Sequence, residues 1–227
     1  MTYIQETTYN KRNFHIDTFE VLSTAETVLQ ETDIRNGHYT LKVSPFEDTE
    51  KINRYGFYYA DTLLEPVCKK KNFQPVYNED ITLTKKYPTE EILDIASYAF
   101  QGGRFHRDFH IPSSLANLRY RNWVGDLMEK NLIYALHYKG DLAGFYGYEG
   151  NKVLLLGIKK EFQQSGLGKL FASYGCQTQF DMGYNELYTS ISASNAASLN
   201  LFYALGFRLT TALDVYHKLV GSAPKEV

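Results

Sequence analysis

The residues whose types and spacing could do chemistry fall mainly in the second half of the chain. An apolar run over residues 153–158 leads into Gln163-Gln164-Ser165-Gly166-Leu167-Gly168, then Lys169, and an apolar stripe at helical spacing, Leu167, Leu170, Phe171 and Tyr174. Strand, glycine loop and helix start, in that order, can make an anion site. The first N–H groups of a helix have no intrahelical partner and carry partial positive charge. An anion settles on them where no side chain shields the backbone, which is the use of the glycines. Lys169, in the first turn, adds a charge. Taken alone, the loop reads more readily as a tight turn than as an anion site. It is not a P-loop, because Lys169 is followed by Leu170 rather than Ser or Thr. It also lacks the Gly-x-Gly-x-x-Gly of a dinucleotide fold, and the strands before it are hairpin-linked.

Acid–base chemistry has four candidates, His106, His110, Glu149 and Asp214, of which Glu149 stands at a strand end. A relay through bound water is an equal alternative. Arg104, Arg107, Arg119 and Arg121 stand against one acid, Asp108, within residues 104–121, a local positive patch in a chain of net charge −2. This is either a solvated helix face or, through Arg104 and Arg107, a guanidinium clamp for a phosphorylated substrate.

Gln163-x-x-Gly166-x-Gly168 resembles the pyrophosphate loop of the GNAT family of N-acetyltransferases, Arg/Gln-x-x-Gly-x-Gly/Ala. A second motif of that family, an Asn followed by a helix ending in Gly-Phe, is matched by Asn195 through Gly206-Phe207. The two occur in the expected order, and the resemblance covers about residues 132–218. It implies acetyl-CoA as co-substrate. Backbone at Leu156 and Ile158 would pair with the pantetheine arm as an added strand. The loop from Gln163 through Gln164, Ser165, Gly166, Leu167 and Gly168, with Lys169, would hold the pyrophosphate, and Asn195 would hydrogen-bond the pantetheine. No metal is implied. The family places a Tyr seven residues after the Asn to protonate the leaving thiolate; here that position is Phe202, with Tyr203 next, so Tyr203 is the candidate acid only if it turns inward. His106 and Glu149 complete the candidate catalytic set. A narrower resemblance, to dTDP-fucosamine acetyltransferases, rests on the Arg104-Phe105 loop, a helix with Trp123, and Thr211 through His217. It implies a nucleotide-linked amino sugar as the small-molecule substrate; a homodimer is compatible with it.

The elements that must position these residues can be read from periodicity and breakers. Residues 39–45 alternate as a strand, 47–55 form a short helix, and 58–67 and 81–84 are strands. Thr89 caps a helix through about residue 100, with Ile92, Ile95, Ala96 and Ala99 on one stripe. A polar loop follows, and Ser113 or Ser114 caps a helix through about residue 130. Strands over 132–138, 142–148 and 153–158 are joined by the turns Lys139-Gly140-Asp141 and Glu149-Gly150-Asn151. A helix over 166–182, a strand over 186–192, a helix over 196–205 and a strand over 208–219 complete the chain. Ser44, Gly56-Phe57 and Leu63 repeat the spacing of Ser194, Gly206-Phe207 and Leu213, by chance or as the trace of a duplication. The expected fold is α/β (α+β): a mixed, mostly antiparallel, twisted sheet flanked by helices, GNAT-like. Residues 1–78 would form a divergent GNAT-like half without the cofactor loop, and 79–227 the acetyl-CoA-binding domain.

Composition sets the outer bounds. The chain has 227 residues, 44% hydrophobic and 22% charged, which suits a folded globular protein rather than a disordered one. Its balance of charge gives no reason to expect nucleic acid. Cys68 and Cys176 show no Cys-x-x-Cys spacing, so no zinc ribbon is read. No basic region followed by an apolar run opens the sequence, and no apolar stretch reaches membrane-spanning length, so a cytoplasmic location is the expectation. The 19 Tyr and 14 Phe are read as core and sheet-face packing.

Overall fold

The structure, a computed structural model, describes residues 3–226. In chain order its elements are β1 (Ile4–Glu6), α1 (Thr8–Phe14), β2 (Thr18–Val21), α2 (Glu26–Glu31), β3 (Gly37–Val43), α3 (Thr49–Arg54), β4 (Tyr58–Lys69), β5 (Ile81–Thr84), α4 (Thr89–Ala99), α5 (Ser113–Glu129), β6 (Ile133–Tyr138), β7 (Asp141–Glu149), β8 (Lys152–Ile158), α6 (Leu167–Asp181), β9 (Glu186–Thr189), β10 (Ile191–Ser192), α7 (Ala196–Ala204) and β11 (Arg208–Val220). The chain divides into two units that interleave along the sequence. Unit 1 takes the residues up to Leu63, Gly102–Arg119, and those from Ala212 on; unit 2 takes Leu64–Gln101 and Tyr120–Thr211. The expected cut at residue 78 does not coincide with this division, because β3 finds its partner in β11 rather than in nearby sequence.

Unit 2 carries strands in the order β4-β9-β8-β7-β6-β5. Every pairing among them is antiparallel except β8 with β9, which is parallel. The β6–β7 hairpin turns on Lys139 and Gly140, both at positive φ (54° and 90°), as a two-residue type I′ turn requires. One sheet face buries Leu136, Ala143 and Tyr146 against Phe171, Ala172, Cys176 and Phe180 of α6. The approach is close: a Cβ on Gly175 would meet the Tyr146 ring at 2.4 Å. The other face packs Ile133, Ala135, Phe145 and Leu155 against Ile92, Ile95 and Ala96 of α4 and Val124 and Leu127 of α5. Thr89 is the first residue of α4 rather than its cap, which is Pro88. The strand expected over 186–192 is two pieces, β9 and β10.

Unit 1 carries the order β1-β2-β3-β11. β2 and β3 are parallel, and the flanking pairs are antiparallel. Its core gathers Phe19, Val21, Leu29, Leu41, Ile52, Phe57 and Tyr216, with a second cluster of Phe14, Phe105, Ile111, Leu115 and Ala116. The repeated spacing corresponds to a repeated local form. α3 is followed by Gly56 (φ 78°), buried Phe57 and β4; α7 is followed by Gly206 (φ 96°), buried Phe207 and β11. Both units show the mixed, mostly antiparallel sheet with flanking helices that the sequence pattern predicts.

Candidate functional site

The chemistry-bearing segment begins on β8. Its parallel pairing with β9 holds only at Lys152↔Tyr188 and Val153↔Thr189, and β9 then ends. β8 runs on, paired with β7 alone through Leu156↔Tyr146, Gly157↔Phe145 and Ile158↔Gly144. Its other edge is therefore unpaired by any described strand from residue 154 on. Lys159 N–H donates to the Ala143 carbonyl, on the β7 side. Because backbone polar groups alternate sides along a strand, Ile158 and Leu156 aim theirs at the unpaired edge. Gly144 and Gly157 permit the tight β7–β8 fit. A Cβ on Gly157 would lie 2.3 Å from the Phe145 ring, and one on Gly144 would lie 2.3 Å from the Gly157 carbonyl oxygen. A glycine inside an apolar strand is the sequence signal that could have revealed this contact.

After a short 3-10 turn, Lys160–Phe162, the loop curls through two left-handed residues, Gln164 (φ 59°) and Gly166 (φ 81°). Such alternation turns successive N–H groups toward one side, a concavity suited to an anion. Gln163, Gln164, Ser165 and Gly166 are exposed. Gly166 caps α6 by position only; no side chain accepts from the helix's first N–H groups. Among the described residues no carbonyl takes the N–H of Gln164, Ser165, Gly166, Leu167 or Gly168. A Cβ on Gly166 would enter open space, whereas one on Gly168 would press on Leu201 (3.2 Å) and Ile158 (3.4 Å). The two glycines thus differ: Gly166 leaves the loop open, and Gly168 lets α6 pack on α7 and β8. Gln163 is spoken for, since its Nε2 donates to the Ile158 carbonyl at 3.0 Å, and Ser165 Oγ donates to the Phe162 carbonyl at 2.5 Å. These two side chains shape the loop. Lys169 is half-buried in the first turn.

Asn195 N-caps α7: its Oδ1 accepts from Ser198 N–H at 3.0 Å, so its Nδ2 is the group left to meet a ligand. Phe202 is buried against Phe207, ring centroids 5.0 Å apart. Tyr203 points elsewhere. It is 39% exposed, with the Arg208 guanidinium 5.5 Å over its ring. One helix position on, roughly 100° around the axis, Tyr203 does not share the buried position that Phe202 takes. Glu149 pairs with Lys152 at the start of β8, about 20 Å of strand from Ile158. There it is 59% exposed by side chain and faces Lys130 at 3.5 Å, so it is a hairpin-end residue.

The remaining predicted residues lie in unit 1. His106 Nε2 shares a hydrogen bond with Asn117 Oδ1 at 2.9 Å. Asp214 Oδ1 accepts from Thr62 Oγ1 at 2.5 Å. The arginines do not form a free clamp: Arg107 pairs with buried Asp61 at 3.2 Å, Arg119 donates to Asn10 at 2.9 Å, and Arg104 lies 4.9 Å over the Phe105 ring. In unit 2, Arg121 holds Glu90 and Asp94. Asp108, read from sequence only as the acid among these arginines, is instead the centre of a buried cluster. Its Oδ2 accepts from His38 Nε2 (2.8 Å) and His217 Nδ1 (2.7 Å), and its Oδ1 from the Tyr58 hydroxyl and His110 N–H, both at 2.9 Å. Burial alone would raise this carboxyl, but the His217 and His38 hydrogen bonds hold it well below the usual carboxylate range. Burial pushes the His217 imidazole down to about 3. Sequence offered no signal for the cluster, whose members are 70 and 109 residues apart.

No family profile matches the chain, and no curated protein matches it. Solved structures do. The chain is similar to a GCN5-related N-acetyltransferase from Sphaerobacter thermophilus, with TM-score 0.68 and 11% identity over 98% of this chain and 79% of that one. It is similar to a GCN5-related N-acetyltransferase from Kribbella flavida, with TM-score 0.57 and 11% identity over 90% and 82%. A tandem GNAT protein from the clavulanic acid biosynthesis pathway matches with TM-score 0.52 and 14% identity over 92% and 76%. At such identities the likeness establishes the fold, that of the GNAT acetyltransferases.

Proposed function

We propose that the chain is an acetyl-CoA-dependent N-acetyltransferase acting on a primary amine. The observation that supports this most is the open, uncapped start of α6 placed directly after the unpaired edge of β8. The residues fit the co-substrate. A diphosphate suits the bare N–H groups from Gln164 to Gly168. The outward N–H and carbonyl of Leu156 and the N–H of Ile158 suit a pantetheine arm laid along the strand edge, with Gln163 fixing the loop through the Ile158 carbonyl and Asn195 Nδ2 available as a further donor. When bound, acetyl-CoA supplies an activated acyl thioester, and the amine displaces the thiol directly. The amine nitrogen–carbon bond forms, the carbon–sulfur bond breaks, one amine proton leaves, and the thiolate takes a proton. The chain's share is positioning, which removes much of the entropic barrier. With Tyr203 beside Arg208 and Glu149 held at a hairpin, we infer a relay through bound water for the proton transfers.

The finer reading of the acceptor is a nucleotide-linked amino sugar. It rests on the narrower sequence resemblance, since the arginines that motivated it are engaged within the protein. Thiol release is to be measured with acetyl-CoA against a panel of amino-sugar nucleotides, peptide N-termini and small polyamines. Turnover of a sugar nucleotide supports the finer reading, and turnover of a peptide or polyamine alone replaces it. The burial of Phe202 favours one second reading, an acyl-CoA-binding module without catalysis. Tight acetyl-CoA binding with no thiol release on any amine would select it.

A further inference from the structure

We propose that His38, Asp108 and His217 form a binding site for a divalent transition-metal ion, zinc in the first instance, independent of the acetyl-CoA site. The three side chains come from three separate stretches of unit 1: β3, the 102–119 segment and β11. Because β3 and β11 pair in the register Thr40↔His217 and His38↔Leu219, the two histidines are diagonal neighbours across the strand pair. Their facing nitrogens, Nε2 of His38 and Nδ1 of His217, both converge on one carboxylate oxygen, Asp108 Oδ2. All three ligand atoms lie within 4.8 Å of one another. Two imidazole nitrogens and a carboxylate oxygen are a donor set that zinc, iron and nickel take readily.

The surroundings have the form of a supported metal site. The side chains are at most 1% exposed. The other carboxylate oxygen is held by the Tyr58 hydroxyl and His110 N–H, the outer hydrogen bonding that orients a ligating carboxylate. Phe105 stacks on the His217 ring at 5.1 Å, and Phe14 stands edge-on to His38 at 6.4 Å, so an apolar wall screens the site. The carboxylate alone has this outer support: His217 Nε2, the nitrogen away from Asp108, is buried with no hydrogen-bond partner.

Metal binding and simple hydrogen bonding make opposite demands on the imidazole protons. Without metal, His38 donates its proton from Nε2 and His217 from Nδ1, both to an ionised Asp108. A metal needs those two nitrogens bare, so any proton a ring keeps must sit on its other nitrogen.

The test uses the full-length chain, purified without a histidine tag and dialysed against chelator, then given zinc or cobalt(II) alone. About one ion per chain retained after gel filtration is expected by metal analysis, with a visible cobalt spectrum of four- or five-coordinate type. Nitrogen-15 spectra of the imidazoles should show His38 and His217 exchanging tautomers on zinc addition. Asp108→Asn should lose the bound ion, and if that variant misfolds, the wild-type stoichiometry and tautomers decide alone. No retained ion, no cobalt spectrum and unchanged tautomers would overturn the proposal and leave a hydrogen-bonded cluster. Acetyl-CoA affinity serves as a separate readout, because the two sites stand or fall independently.

Discussion

Helices α6 and α7 belong to the same unit and begin in opposite ways. α7 is closed by its own sequence, with Asn195 accepting from Ser198 N–H. α6 starts on an exposed glycine in the left-handed region, with no side chain turned back onto its amides. A side-chain cap is worth roughly a few tenths of a kcal/mol over a glycine, so α6 forgoes a little stability that α7 keeps. A bound anion returns that loss when it sits on the bare amides, and the contrast distinguishes a helix end built for structure from one left for a ligand.

The strongest way to break this contrast is to give α6 a cap of its own. Gly166→Asp places a side chain where a Cβ meets nothing within 4 Å, with backbone strain at φ +81° that Asp bears better than most residues. Its carboxylate should cap the helix and repel a diphosphate, weakening acetyl-CoA binding roughly a hundredfold by titration calorimetry, in keeping with the loss of charge-assisted hydrogen bonds. Unchanged affinity in a folded variant would remove the anion reading of α6. Next comes the strand that leads into the loop. Gly157→Ala forces a methyl against the Phe145 ring and should cost about 1–3 kcal/mol in urea unfolding; no loss would mean that β8 is not rigidly held. Asn195→Ala removes the α7 cap and should cost about 1 kcal/mol, whereas Gly166→Asp should not show a capping loss. No loss in Asn195→Ala would erase the distinction. The smallest effect concerns the body of α6. Burial pushes the Cys176 thiol up to about 12 and Cys68 up to about 11, from an ordinary 9.0. Native protein should therefore resist iodoacetamide at pH 8. Because the folded state holds these protons longer than the unfolded one, their contribution to stability is intact below pH 9 and declines as pH rises toward 11. Rapid alkylation of Cys176, detected by mass spectrometry, would show that α6 opens along its length and not only at its start.

Unit 2 was largely legible because its signals are local. Alternating strands, Lys139-Gly140 and the Gln163–Gly168 loop each lie within a few residues of what they specify, and the helix of α6 agrees with its stripe to within a residue. The first strands and helices of unit 1 were not read. α1 and α2 have seven and six residues, too few turns for a 3.6-residue period to stand out. Neither receives a side-chain cap. Tyr203 meets a different limit. Sequence gives spacing, but the side that a helix buries is decided by packing, and Phe202 won that position. The arginine patch illustrates a third limit: composition counts charges, while their partners, Asp61, Asn10, Glu90 and Asp94, come from distant stretches.

The pairing of β3 with β11 also bears on synthesis. On the ribosome, residues 37–43 emerge long before residues 214–220, their neighbours in the finished sheet. Throughout that interval the β11-facing edge of β3 has no mate, while everything that makes up unit 2 is being produced. Unit 2 can settle as soon as Thr211 clears the exit tunnel, but unit 1 has to wait for the segment beyond it. A nascent chain halted at Thr211 would thus display one finished body and one with an unsatisfied strand, the kind of surface that chaperones hold and that pairs wrongly when left alone.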